Sequence, residues 1–130
     1  MGGGPDGRLR PPERLRTAGE FRRVFQRGSR LDGPLFLLVF APNGKEGSRI
    51  GLAAGRKVGG AVRRNRAKRL LREAFRRHKP GEAFDLVFVP KRELADCSLR
   101  EVEREYCERL RRLTSRHTSR RQRPVAPPSH

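Results

Sequence analysis

The chain has 130 residues, of which 32 are Lys or Arg and 14 are Asp or Glu, so its formal net charge at neutral pH is +18. This length allows one compact domain with a modest core and excludes a second domain. Such an excess of positive charge repels itself in a folded protein and is tolerated mainly when a polyanion neutralises it. We therefore expect a single domain that binds nucleic acid.

The cysteines and the hydropathy pattern indicate a reduced compartment. Cys97 and Cys107 form neither a disulfide framework nor a zinc site, because no Cys-x-x-Cys pair or His partner accompanies them. No apolar run approaches the roughly 20 residues that a membrane-spanning helix needs, and residues 1–8 lack the apolar stretch of a signal peptide. We expect a cytoplasmic protein without membrane contact.

Both ends of the chain are predicted to be disordered. Residues 1–14 combine Gly, Pro and Arg without periodicity, and residues 114–130 carry Arg, Ser and Pro without any acid. The predicted folded domain therefore spans residues 15–113. The basic C-terminal tail is either simply solvated, which we favour, or adds nonspecific attraction for RNA.

The first predicted elements are a short helix and a β-hairpin. Thr17 and Glu20 have the spacing of a capping box, and Gly28 supplies the stop of the helix. The apolar run 35–41 predicts a buried strand, and the alternating run 49–54 predicts its hairpin partner. Small residues on one face of the second strand either let a helix pack closely, which we favour, or leave room for a ligand backbone.

The last predicted elements are a strand at residues 84–89 and a helix that begins at a second capping box, Ser98 to Glu101. The helix has an apolar stripe formed by Leu99, Val102, Tyr106, Leu110 and Leu113. Its pairs Glu105–Arg109 and Glu108–Arg112 stand at i, i+4, so this helix is expected to neutralise part of its own charge.

The segment between the hairpin and that strand carries most of the positive charge. Residues 55–79 hold eleven basic residues and a single acid, Glu73. On a helix, one face is apolar and consists of Ala67, Leu70, Leu71, Ala74 and Phe75. The opposite face carries Asn65, Arg69, Arg72 and Arg76 and has no acid to neutralise it. We therefore predict that an external polyanion contacts this face.

The start of the same helix also favours an anion. Arg63, Arg64 and Arg66 lie there, directly after Gly59 and Gly60, which let another backbone approach closely. The exposed amides of a helix start favour a phosphate.

Residues 50–75, with the sequence IGLAAGRKVGGAVRRNRAKRLLREAF, resemble the hallmark of the bacterial ribonuclease P protein family. That hallmark is an Arg-Asn-Arg core followed by Lys-Arg and a further Arg, matched here by Arg64, Asn65, Arg66, Lys68, Arg69 and Arg72. The similarity extends from about residue 14 to residue 113 and includes the helix EFRRVFQRG and the strands FLLVF and FDLVFVPK. The extended motif within these elements is specific, whereas an Arg-Asn-Arg tripeptide alone would not be.

The resemblance implies an α+β fold, a two-layer α/β sandwich of the ribosomal protein S5 domain 2-like type. Its elements follow the order α-β-β-β-α-β-α, and the Arg-rich helix lies in a left-handed βαβ crossover. The sequence itself shows only two long strands before that helix. The third, around residues 29–31, is inferred from the resemblance.

The resemblance also implies two RNA-binding regions. A cleft between the first helix and the sheet would hold the single-stranded leader of a precursor tRNA, lined by Phe21, Phe25 and Val39. From spacing alone both phenylalanines are predicted to be core residues. The Arg-rich helix and the loop before it would bind the catalytic RNA through Arg56, Lys57, Arg63, Arg64, Asn65, Arg66, Lys68, Arg69, Arg72 and Arg76.

The function implied by the resemblance is that of a protein subunit of a ribonucleoprotein endonuclease that removes 5′ leaders from precursor tRNAs. The RNA subunit and its Mg²⁺ ions would perform the hydrolysis, and the protein would supply no metal-binding motif. Its expected partners are the catalytic RNA and precursor tRNA, with no obligatory protein partner evident. A stand-alone nuclease is disfavoured because the sequence offers no catalytic carboxylate or histidine constellation. A ribosomal or DNA-binding protein is the third alternative, although no helix-turn-helix pattern supports duplex DNA binding.

Overall fold

The computed structural model describes the backbone of residues 13–122 and the side chains of residues 13–113. The chain forms helix α1 (Ala18–Arg27), strands β1 (Ser29–Asp32), β2 (Phe36–Pro42) and β3 (Arg49–Leu52), helix α2 (Ala61–Arg77), strand β4 (Phe84–Pro90) and helix α3 (Leu99–Gln122). Short 3₁₀ turns at Arg56–Val58 and Arg92–Asp96 precede α2 and α3. The α+β class and the element order are confirmed, including the strand inferred from the family resemblance.

The predicted disordered ends lie largely outside the described residues. This applies to residues 1–12 and 123–130, where disorder stays a prediction. The backbone of α3 extends to Gln122, past the predicted boundary at residue 113, because neither Pro nor Gly interrupts the intervening sequence. At the other end, Arg14 already forms a parallel bridge with Ile50 of β3.

The four strands form one sheet in the order β1-β2-β4-β3. The predicted hairpin between β2 and β3 is wrong, because β4 lies between them, antiparallel to β2 and parallel to β3. The two seven-residue strands β2 and β4 occupy the centre, where nearly continuous apolar runs are covered on both faces. The path from β3 through α2 to β4 is a βαβ crossover, and its left-handed sense stays a prediction.

The two faces of the sheet contact different helices. Along β2, Phe36, Leu38 and Phe40 belong to the core shared with α2 and α3, whereas Leu37 and Val39 lie on the side of α1. All five residues of the predicted apolar stripe of α2 are buried. The predicted stripe of α3 is buried or partly buried throughout. The amphipathic patterns of both helices are thus confirmed.

Side-chain hydrogen bonds cap the first turns of α1 and α3, as predicted. The Thr17 hydroxyl accepts the Glu20 N–H at 3.1 Å, and the Glu20 carboxylate accepts the Thr17 N–H at 3.1 Å. Ser98 and Glu101 form the same reciprocal pair at the start of α3, at 2.8 and 3.2 Å. No helix among the described residues is both long enough and apolar enough to cross a membrane.

The charge pairs predicted on α3 are confirmed in part. Glu108 and Arg112 lie 3.7 Å apart. Glu105 instead accepts the backbone N–H of Leu35 at 2.9 Å. The Nε of Arg109 is buried without a hydrogen-bond partner in the described structure. A contact to a distant backbone group has therefore replaced the local pair.

Gly28 ends α1 as predicted. The backbone of β2 comes very close to it there. A Cβ added to Gly28 would lie 2.5 Å from the Val24 carbonyl oxygen and 2.7 Å from that of Phe40. The φ angle of Gly28 is −82°, so any residue could adopt this backbone conformation. Space, and not backbone freedom, therefore requires glycine at this position.

We predict that Gly28→Ala lowers the free energy of unfolding by about 1–3 kcal/mol, because the two carbonyl oxygens cannot rotate away from the new methyl group. Urea unfolding measures the change. Gly19→Ala in the same helix is the matched control, since the nearest atom to its new Cβ is 3.8 Å away. That control should be neutral or stabilising by up to about 1 kcal/mol. Equal losses in the two variants would contradict the close approach at Gly28.

Candidate nucleic-acid interface

The solvent side of α2 carries basic side chains that no acid of the described chain neutralises. Asn65 and Arg69 are exposed, and Arg64, Lys68 and Arg72 are half-buried. Within residues 13–113, none of these side chains makes a hydrogen bond or ion pair with the protein. The same holds for the exposed cations of the turn before α2. Together they form what we call the cationic face: Arg56, Lys57, Arg64, Asn65, Lys68, Arg69 and Arg72.

Two other predicted RNA-binding residues, Arg63 and Arg66, are held by the protein itself. Their guanidinium groups donate to the 3₁₀ turns that precede α2 and α3 and to Cys97 beside the second turn, and thereby fasten the start of α2. The acceptors are the Val58 and Arg92 carbonyls (2.8 Å each) and the Asp96 carboxylate (2.7 Å) for Arg63, and the Ala95 and Cys97 carbonyls (2.8 Å each) for Arg66. The hydrogen bond from Arg63 lowers the pKa of Asp96 below its ordinary value.

The C-terminal end of α2 is neutralised by acids. Glu73 accepts hydrogen bonds from both Arg76 and Arg77, and Arg77 also lies 3.5 Å from Glu103. The hydrogen bonds from the two arginines lower the pKa of Glu73, so it is ionised at neutral pH. Arg76 was predicted to bind RNA, and the structure places it in this internal network. The cationic face therefore ends at Arg72.

Like charges lie close to Arg72, at the end of the cationic face. Burial lowers the pKa of its guanidinium, and the neighbouring charges of Arg14 and Arg69 lower it further. Arginine nevertheless remains protonated at neutral pH, because its ordinary pKa lies far above 7. The three like charges persist, and an anion bound among them would relieve the repulsion.

On the opposite side of the sheet, α1 packs mainly on β2 and β4, along one row of neighbouring residues. That row, read from β3 to β1, consists of Gly51, Val87, Val39 and Arg30. Phe21 covers Gly51, where an added Cβ would come within 2.8 Å of the ring, so close packing explains the small residue in β3. Val39 is fully buried in this row and contributes to packing.

The next row of the sheet is only partly covered, and we call the space between this row and α1 the groove. Leu37 and Val89 are register partners, and Ala53 lies beside them through its N–H bond to the Phe88 carbonyl. All three are half-buried, as are Phe21 and Phe25 on the helix above them. The two phenylalanines thus pack on one side and remain accessible on the other.

The groove approaches the cationic face at the edge of β3. A half-open pocket there is lined by Phe21 of α1 and by Lys68 and Arg72 of α2. Arg14 also lines it, a residue that falls in the segment predicted to be disordered and that no sequence motif marked. One aromatic ring and three basic side chains therefore border the same space.

Comparison with known proteins identifies the family of the chain. A model of the family Ribonuclease P matches residues 9–114. The chain belongs to this family. A ribonuclease P protein component from Dehalococcoides mccartyi (strain CBDB1) is 40% identical over 96 residues, covering 74% of this chain and 80% of the relative. One from Thermotoga maritima is 41% identical over 86 residues, covering 65% of this chain and 74% of the relative.

Solved structures of the ribonuclease P family share the fold. The RNase P protein from Thermotoga maritima matches with a TM-score of 0.70 and 36% sequence identity, covering 77% of this chain and 96% of that chain. The protein from Staphylococcus aureus matches with a TM-score of 0.67 over 78% of this chain and 94% of that chain, at 24% identity, a likeness of fold alone.

In this ribonuclease P family member, an ionic clamp that the sequence did not reveal holds α1 over the sheet. Arg49 of β3 donates to both carboxylate oxygens of Asp85 in β4, at 2.8 Å each, and to Glu20 of α1 at 3.1 Å. The only sequence signal for it is an acid, Asp85, within an otherwise apolar strand. Because Glu20 also caps α1, the clamp fixes the start of the helix that forms the wall of the groove.

The described residues contain no group of three or more His, Cys, Asp or Glu side chains that could hold a metal ion. Acids near the groove and the cationic face are paired with basic side chains: Glu20 with Arg49, Glu73 with Arg76 and Asp32 with Lys91.

We predict that the Glu20 carboxylate stabilises the fold at neutral pH and that this contribution is lost in acid. Hydrogen bonds from the Arg16 and Thr17 backbone, and then from Arg49, lower the pKa of Glu20 below 4.5. A lowered pKa in the folded state gives stability that is present above pH 4.5 and lost as the pH falls through the folded value. Thermal unfolding should therefore show Glu20→Gln to be less stable than the unsubstituted protein at pH 7, with the difference shrinking below pH 4.5. A difference independent of pH would contradict this role.

Proposed function

We propose that this protein is the RNA-binding subunit of a ribonuclease P holoenzyme, in which a catalytic RNA removes the 5′ leader of precursor tRNA in the cytoplasm. The observation that carries the proposal is the cationic face, whose basic side chains lack acidic partners among the described residues and meet a groove bordered by half-exposed aromatic rings. Family membership supplies the reaction to which these two surfaces would contribute.

The cationic face suits the catalytic RNA. Its guanidinium groups can grip phosphate oxygens with two parallel hydrogen bonds each, and their positions along α2 and the preceding turn provide several contacts at once. Arg63 and Arg66 would act as positioning residues, because their donors already serve carbonyl and carboxylate acceptors. They set the direction in which α2 presents its free arginines.

The groove suits a single-stranded leader. Proteins that bind single strands combine a basic track for the backbone with aromatic side chains on which bases stack. Phe21 and Phe25 offer accessible ring surface, and Lys68 and Arg72 reach the end of the groove from the other layer. A duplex would hide its base faces, so a single strand fits this combination better.

The hydrolytic step would belong to the RNA subunit, with Mg²⁺ held mainly by RNA phosphates. The protein would contribute affinity for the substrate and neutralise phosphate charge where the two RNAs meet. Both effects matter most when Mg²⁺ is scarce, since divalent ions otherwise screen the same repulsion.

The test is cleavage of precursor tRNA by the ribonuclease P RNA of the same genome, with and without the purified protein. We expect the protein alone to leave the substrate intact and to stimulate the RNA at low Mg²⁺, with the stimulation declining as salt rises. A polyamine at equal positive charge controls for simple charge neutralisation and should stimulate less. Absence of stimulation would refute the proposal, and cleavage by the RNA-free protein would favour a stand-alone nuclease.

A further inference from the structure

We propose that the exposed arginines of α1, Arg22, Arg23 and Arg27, form a second RNA-binding surface that takes the phosphates of the leader upstream of the groove. The inference rests on the proposed function and assigns a role to a helix face that the cationic face of α2 does not include. All three side chains are exposed. We call them the α1 surface.

The charge around the α1 surface is not balanced within the described chain. Residues 14–30 contain six arginines and a single acid, Glu20. The Glu20 carboxylate is already engaged, because it accepts the N–H groups of Arg16 and Thr17 and a hydrogen bond from Arg49. Among the described residues, no acid pairs with the three arginines of the α1 surface.

This arrangement is unfavourable for the isolated protein. Arg23 and Arg27 stand at i, i+4 on the helix, where two like charges destabilise it by a few tenths of a kcal/mol. Arg27 recovers part of this through the helix dipole, because it lies in the last turn, but Arg22 and Arg23 do not. An external polyanion would convert the repulsion into attraction. On α3, by contrast, Arg112 has Glu108 within 3.7 Å.

The position of α1 indicates which RNA the α1 surface would bind. The helix lies on the opposite face of the sheet from α2, so a catalytic RNA held by the cationic face is not directed towards it. Its inner side forms the wall of the groove, and Arg22 stands at i−3 from Phe25 and is therefore its neighbour on the helix surface. Beyond Phe25, the guanidinium of Arg30 lies 6.0 Å from that ring. A strand whose bases contact the rings would therefore continue alongside α1.

The test compares two precursor tRNAs bound by the assembled holoenzyme, with leaders of about 4 and about 16 nucleotides, the limits of common single-strand site sizes. The variant replaces Arg22, Arg23 and Arg27 by Gln. We expect its Kd for the long-leader substrate to rise about 10-fold, and the slope of log K against log salt to fall by about 2, near 0.7 for each phosphate that is no longer neutralised. The Kd for the short leader and the affinity for the catalytic RNA should change less than twofold.

The matched control replaces Arg100, Arg104 and Arg111 of α3 by Gln, which removes the same charge from the other layer. The control should bind both substrates like the unsubstituted protein. Equal weakening by variant and control, equal weakening of both leaders, or loss of affinity for the catalytic RNA would each overturn the assignment. If the unsubstituted protein gives no gain in substrate affinity, the proposed function fails instead.

A measurement of thermal unfolding distinguishes a role of these arginines in RNA binding from a role in the stability of the fold. Glutamine has nearly the helix propensity of arginine, and the substitution removes like-charge repulsion, so the melting temperature of the α1 variant should be unchanged or higher. A lower melting temperature together with unchanged long-leader affinity would show a structural role for these arginines and overturn the proposal. The single variant Arg22→Gln repeats the comparison at the position that neighbours Phe25 on the helix.

Discussion

The burial of Ala67, Leu71 and Phe75 against the sheet determines how α2 presents its charges. All three side chains are fully buried, so the helix cannot rotate without exposing apolar surface worth several kcal/mol. The polar side of the helix is thereby directed to solvent. The like charges on that side remain close together because the core, and not any acid, holds them in place. The proposed RNA binding follows from this arrangement.

Not all arginines of α2 have the same role in the structure. Arg63 and Arg66 donate to acceptors from the segment before α3, and Arg76 and Arg77 are balanced by Glu73. Between these anchored ends lie the arginines without protein partners. The anchored ends fix the backbone of the helix and hence the positions from which these arginines project, which reduces the backbone ordering that RNA binding would otherwise require.

Local sequence patterns predicted most of the secondary structure. The capping boxes at Thr17 and Ser98 and the apolar stripe of α2 follow from spacings of three and four residues, and all are confirmed. The hairpin between β2 and β3 was wrong because β4, more than thirty residues further along the chain, lies between those strands. Pairing of distant strands leaves no local trace in one sequence, and the family resemblance did not supply it.

The candidate site was predictable in its residue types but not in its partners. The motif named the arginines of α2, yet which of them are free depends on acceptors that lie about thirty residues away, as for Arg63 and Asp96. The clamp of Arg49 and Asp85 spans 36 residues and was equally invisible. Arg14 lines the pocket although composition placed it in a disordered end. These positions are set by tertiary contacts.

The most direct measurement of the central claim is the salt dependence of affinity for the catalytic RNA in Arg69→Gln and Arg77→Gln. Both arginines are exposed on α2, but only Arg77 has acidic partners, at Glu73 and Glu103. If unpaired cations contact phosphates, Arg69→Gln should reduce the slope of log K against log salt by about 0.7–0.9, and Arg77→Gln should leave it unchanged. Equal slopes in both variants and the unsubstituted protein would contradict the account.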